Sequence, residues 1–392
     1  MTSPSRSRPS PVPGRFGIPV NRARCMPSCP APPRSADLAE SVAVNPQLVL
    51  RHRLKESGLW LPDDRHEFVL SRCKARGELL KKQVLKDVLD PSDNGFVGTA
   101  DAFGVENRRF RRSLASVLSF GFHLGAAFAD WLKVRQQREN IATTCALFAA
   151  MTMLFDLCLD DIPNGADILF QVLDESAMRR LVGGGLDLIP IAARHSVPEI
   201  RITLKMLFAF YERSRALAET SRDTKLWRHI NDLVMDAYRA EMRTLQAHNL
   251  GELAETAAAA KRLPVEIMFH LAVAGDPGQS TEAYLEGARL AREIGGMLWL
   301  TDDLADLVKD LRSGSANAIV CEARTLLPHG FAADEGLVMR CVIDNQLVEQ
   351  KADAVCRTLG HVTAFLEPYR PSCPEDLDFR HLLWTFVRSW SK

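Results

Sequence analysis

Residues 142–161 read ATTCALFAAMTMLFDLCLDD: no charged side chain as far as Phe155, then three carboxylates within six residues, Asp156, Asp160 and Asp161. The apolar part reads as a core-facing helix. Burying an unpaired carboxylate costs several kcal/mol, on the order of a domain's whole stability margin, so this stretch needs a compensating cation. Two questions therefore start here: what fold buries such a helix, and what neutralises its end.

Outward from it the pattern stays helical. RRSLASVLSFGFHLGAAFADWLKV, PEIRITLKMLFAFYERSRALAE, LWRHINDLVMDAYRAEMRTLQ and LVMRCVIDNQLVEQKADAVCRTLGHVTAFL all carry apolar residues at three-and-four spacing. No stretch alternates as a half-buried strand does. Helix-stopping signals fall at 90–95 (DPSDNG), 163–165 (PNG), 183–185 (GGG), 275–278 (GDPG) and 312–315 (RSGS). The expectation is an all-α chain of about ten or more helices without a repeat period. Residues 1–45 differ: rich in Pro, Ser and Arg, with no acidic residue before Asp37, they are expected to form a disordered tail. Residues 46–392 are expected to form a single large helical domain.

Bulk composition excludes some functions. Forty-nine Lys and Arg balance forty-nine Asp and Glu, so no net field draws nucleic acid or an anionic membrane. The nine cysteines include no close CxxC pair and no Cys/His zinc spacing, which suits reduced thiols in the cytoplasm. No uncharged apolar run reaches the 18 residues expected of a membrane span, and the N-terminus lacks the apolar core of a signal peptide. A cytoplasmic protein without an integral membrane segment is expected. None of the ten histidines has Glu three positions earlier, as di-iron bundles require.

Helical geometry then organises the acids. Asp156 and Asp160 are one turn apart, about 40° around a helix, and repel each other unless a cation lies between them. About 140 residues further on, WLTDDLADLVKDLRSGSANAIV repeats the pattern. Asp302, Asp306 and Asp310 are spaced by four and four, on an arc of about 80°. Hard divalent cations prefer such oxygen-rich faces, and Mg²⁺ keeps its remaining positions for water or phosphate.

These motifs resemble those of the class I isoprenoid synthases, terpene cyclases in particular. DLCLDD is similar to their DDxxD motif, with Asp156 and Asp160 on its metal-binding first and fifth positions and Leu157 where a second Asp is usual. DDLADLVKD is similar to the cyclase motif (N/D)DxxSxxxE, with Asp302, Asp306 and Asp310 on the ligand positions; DDLAD also reads as the second DDxxD of prenyl diphosphate synthases. Lys309, a Gly and an Asn follow, as they often do in cyclases. Lys261 and Arg262 stand about forty residues before the second cluster, near where family members carry a diphosphate-holding cation. The resemblance covers residues 100–320, approximately.

The resemblance implies one helical domain around a central cavity. It also implies three Mg²⁺ held by Asp156, Asp160, Asp161, Asp302, Asp306 and Asp310, and a prenyl diphosphate gripped by Lys261, Arg262 and Lys309. Departure of the diphosphate leaves an allylic carbocation, for which Phe148, Phe155, Phe208, Phe269 and Trp299 are the candidate lining. The implied activity is that of a terpene synthase, a lyase that cyclises or rearranges the cation. The alternatives are a prenyl diphosphate synthase or squalene/phytoene-type condensing enzyme, and a non-catalytic helical protein with both clusters solvated. The resemblance allows a homodimer.

Overall fold

One close helix pair is built around missing side chains. In FGFHLGAAF, Gly121 lets α3 (Val105–Trp131) come down on α4 (Arg138–Asp160): a Cβ there would lie 2.4 Å from the Cys145 carbonyl oxygen and 2.7 Å from Ala149 Cβ. The helix that opened the reading is thus pressed face to face against its neighbour.

The computed structural model describes residues 45–88, 105–160, 162–221, 224–246, 250–275, 281–328, 332–368 and 377–391. The proposed tail, apart from Asn45, and the stop signal at 90–95 lie outside them. The described residues contain fifteen α-helices and no strand. Besides α3 and α4 they are α1 (Pro46–Glu56), α2 (Asp63–Asp87), α5 (Gly165–Val172), α6 (Glu175–Val182), α7 (Ile189–Ala192), α8 (Pro198–Ser221), α9 (Thr224–Gln246), α10 (Leu250–Ala274), α11 (Thr281–Ser313), α12 (Ala318–Leu326), α13 (Glu335–Asp344), α14 (Leu347–Phe365) and α15 (Phe379–Trp390). The all-α expectation is borne out. Helices beyond the expected ten are short ones, such as α5, α6, α7 and α12, which complete too few turns to leave a readable period.

The two most apolar long helices, α4 and α10, sit at the centre. Helix α10 packs on α3, α4, α9 and α11; α8 covers another side of α4, and α14 lies on α11. Helices that are apolar around most of their circumference are buried ones. The window Arg138–Leu159 is long and apolar enough to cross a membrane by length and composition, although Arg138, Glu139 and Asp156 keep it from being an uncharged run. Here 72% of it is buried inside the protein.

Ala43–Lys392 clusters as one compact unit. Its ends are clasped by a buried Arg388 on α15, which donates to the Leu61 carbonyl and to the Asp63 carboxylate and stacks over Trp60 at 4.3 Å. A second clasp joins α10 to α11, where Arg292 grips the buried Glu266 through two hydrogen bonds of 2.6 and 2.8 Å. Burial would raise the Glu266 pKa, but hydrogen bonds from His270 and Arg292 bring it down to about 2.

Candidate active site

Helix α4 delivers Asp156, α11 delivers Asp302, Asp306 and Asp310, and α10, packed on both, delivers the cation between them. Lys261 Nζ lies 3.2 Å from Asp156 Oδ2. Its pKa is raised first by Asp156, against the cost of burial, and further by Glu241 and Asp302. Three carboxylates from three helices thus share one ammonium, leaving the group net negative. Asp160 closes α4, and its side chain and Asp161 lie outside the described residues.

Position 261, rather than 262, points into the site because of α11. A Cβ at Gly295 would lie 2.7 Å from the Arg262 carbonyl oxygen, so the two backbones touch there. Arg262 is turned aside, its guanidinium 5.6 Å above the Trp299 ring. Lys309 is largely exposed and stands 3.5 Å from Asp306.

The second acidic helix sorts its carboxylates by their hydrogen bonds. Asp303 is buried and accepts the Ala318 backbone N–H at 2.8 Å, the first residue of α12. Burial raises its pKa to about 7, against the pull of that bond. Asn317 ties the turn together: its Nδ2 donates to the Asp303 carbonyl and to Asp310 Oδ2, both at 2.9 Å, while its Oδ1 caps α12 at Ile319 and Val320. Asp310 keeps one oxygen uncommitted, and burial raises its pKa. Asp302 is pushed up to about 6, chiefly by burial; Lys261 pulls the other way, and Asp306, Asp310 and Asp156 add repulsion.

Below Asp156 runs a narrow cavity with about 60 Å³ of free volume, lined by Phe148, Met151, Thr152, Phe155, Met178, Leu207, Tyr238, Glu241 and Pro264 among others. Of the five aromatic candidates, Phe148 and Phe155 line it. Phe269 is in the core against Phe128 and Trp131, Phe208 packs on the core edge, and Trp299 is buried beneath Arg262. Tyr238 and Glu241, both from α9, were not foreseen. Tyr238 packs at 6.2 Å from the Phe155 ring and is anchored through its hydroxyl, which donates to the Leu173 carbonyl. Pro264 has no N–H, so the Ala260 carbonyl loses its helical donor, and both residues line the cavity.

Among the described residues no three His, Cys, Asp or Glu side chains converge to enclose a metal ion. Mg²⁺ asks for less, since it is usually held by one or two carboxylates and keeps its other positions for water and phosphate. The donor set here, hard oxygens already neutralising a cation, fits that requirement.

No family model and no curated protein matches the chain. Among solved structures, it is similar to a geranylgeranyl pyrophosphate synthetase from the archaeon Geoglobus acetivorans, at 10% identity and a TM-score of 0.48, over 83% of this chain and 98% of that one. It is likewise similar to the geranylgeranyl pyrophosphate synthetase of Pyrococcus horikoshii Ot3, at 12% identity and a TM-score of 0.48, over 82% and 98%.

Proposed function

We propose that this protein is a magnesium-dependent enzyme of the class I isoprenoid synthase type, acting on a prenyl diphosphate. One observation carries the reading: the acid-bound ammonium of Lys261 meets, at Asp156, the mouth of a cavity walled by Phe148, Met151, Phe155 and Tyr238. A prenyl diphosphate is built the same way, a polyanionic head on an apolar tail.

In this reading Asp156, Asp302 and Asp306 hold the metal, with Asp310 one turn further along α11, and the motif gives Asp160 the same role. Mg²⁺, when bound, supplies the Lewis acidity that makes diphosphate a leaving group. Lys261 donates to a phosphate oxygen, giving up Asp156 as it does so. Phe155 and Tyr238 offer ring faces to the allylic cation and keep water away from it. The free volume is below the 300 Å³ or so of ordinary ligand sites, so the tail enters as flexible Met151 and Met178 yield. The number of ions, three in the family, belongs to the same proposal.

The cation has two fates. It closes on itself, as in a terpene cyclase, or it is attacked by a second isoprenoid unit, as in a prenyl diphosphate synthase; both similar proteins are named geranylgeranyl pyrophosphate synthetases. Incubation with geranyl, farnesyl or geranylgeranyl diphosphate and Mg²⁺, with and without isopentenyl diphosphate, separates them by gas chromatography. Cyclic or rearranged hydrocarbon without isopentenyl diphosphate marks a cyclase; a longer diphosphate formed only in its presence marks a synthase. Substrate recovered intact in every mixture would refute the proposal.

A further inference from the structure

Helix α2 turns two large apolar side chains straight out to water. It buries His66, Val69, Gly77, Leu80 and Val84 on one face, where it packs on α3 and α15. Phe68 and Leu79, 51% and 61% exposed, stand on the opposite face. Eleven residues separate them, which is about 20° around the helix and about 16 Å along it, so they form one outward stripe. We propose that this stripe seats the protein on an anionic lipid surface, with Phe68 and Leu79 entering the interface and the basic residues around them holding lipid phosphate.

The charge around the stripe selects that partner. Arg65, Arg72, Lys82 and Lys86 lie within about 60° of Phe68, and Asp64 is the sole acid on the same arc. Arg65, Lys82 and Lys86 are exposed and make no ion pair among the described residues. Counting the whole helix with its ion-pair partners keeps the sign. Seven cations face five acids on α2, and Arg388 at Asp63 offsets Glu139 at Arg76. Gly77 meets Ala115 and Cys73 meets Ser119, so α3 runs antiparallel and its first turns lie beside the last turns of α2. There the sequence adds Arg108, Arg109, Arg111 and Arg112 against Glu106. The excess is five positive charges at one side of a chain whose net charge is zero.

Nucleic acid would also answer to the cations. It has no use for two exposed apolar side chains about three turns apart, whereas the boundary between headgroups and acyl chains takes them up. The lysine stems then lie along that boundary with their ammonium groups at the level of the phosphates.

The test is flotation of the full chain with vesicles of phosphatidylcholine alone or mixed with phosphatidylglycerol. Binding is expected on the mixed vesicles only, and it should weaken as salt rises. Leu79→Glu and the double variant Lys82→Gln/Lys86→Gln should each lower the ratio of bound to free protein about tenfold, with melting temperatures unchanged because all three positions are exposed. Leu285→Glu, at a 62% exposed position on α11, should bind as the wild type does. Wild-type binding in Leu79→Glu, an equal loss in Leu285→Glu, or equal binding to both kinds of vesicle would overturn the proposal. So would a single-stranded RNA that binds the wild type and Leu79→Glu alike, which marks a nucleic-acid surface, or a dimer that dissociates in Leu79→Glu, which marks a contact between copies. None of these outcomes depends on what the protein does with prenyl diphosphates.

Discussion

Lys261 Nζ stands 3.2 Å from Asp156 Oδ2, on the helix that packs against both acid-bearing helices. The protein without metal therefore carries its own counter-ion. Lys261→Gln should lower stability by about 1 kcal/mol, discounted for partial exposure, since Asp156, Glu241 and Asp302 are left facing one another. Diphosphate binding should weaken in the same variant while Mg²⁺ alone binds Asp156 more readily. Isothermal titration of each ligand separates the two; a variant that loses Mg²⁺ and keeps diphosphate would reverse the role given to Lys261.

Asp302→Asn tests the opposite sign. The folded pKa of Asp302, about 6, is above the ordinary carboxylate value of 3.8, so ionisation destabilises the fold. Below about pH 4 the carboxyl is protonated in both states and the variant should match the wild type. Between pH 4 and 6 the wild type loses stability that the variant keeps, and above pH 6 the gap should stay constant. Melting in EDTA across that range reads it. If Asp302 holds metal as proposed, turnover should meanwhile fall by several orders of magnitude.

Glu266 predicts a loss instead. Its buried carboxylate holds Arg292 by two bonds, and Glu266→Gln removes the charge from that clasp. A cost of about 1–3 kcal/mol is expected by chemical denaturation. With a folded pKa of about 2 against 4.5, the contribution is full above pH 4.5 and fades as pH falls toward 2. The wild-type advantage should shrink over that interval; a constant gap down to pH 2 would contradict the assignment.

The amino-terminal boundary can be set to one residue. Asn45 accepts backbone N–H groups from Gln47 and Leu48 and so caps α1. Deletion of residues 1–44 should leave turnover within about tenfold of the full chain, some 1.4 kcal/mol of barrier. Deleting Asn45 as well should cost about a further 1 kcal/mol in folding stability.

The acidic stripes were legible because helical spacing is arithmetic: four and four puts Asp302, Asp306 and Asp310 on one side of any helix. Lys261 against Arg262 was not, since neighbours in sequence differ by about 100° and the choice is made by α11 pressing on Arg262. Nor could DDLAD reveal that Asp303 belongs to the next helix, because the Ala318 N–H reaches it only after the chain turns at Gly314, where φ is +74°. Tyr238 and Glu241 sit on a long amphipathic helix whose spacing marks them as ordinary; only the packing of α9 on α10 brings them to the cavity.

The contact at Gly295 gives the site a mechanical asymmetry. A carbonyl oxygen already occupies the place of any side chain there, at 2.7 Å, so α10 and α11 are separated by backbone thickness alone and cannot be drawn closer. Lys261 and the second acidic stripe thus sit on two helices whose spacing at Gly295 is set by backbone. The grip on Asp156, by contrast, is a single long side chain with four rotatable bonds, and it is on this side that the gap can be adjusted to whatever sits between.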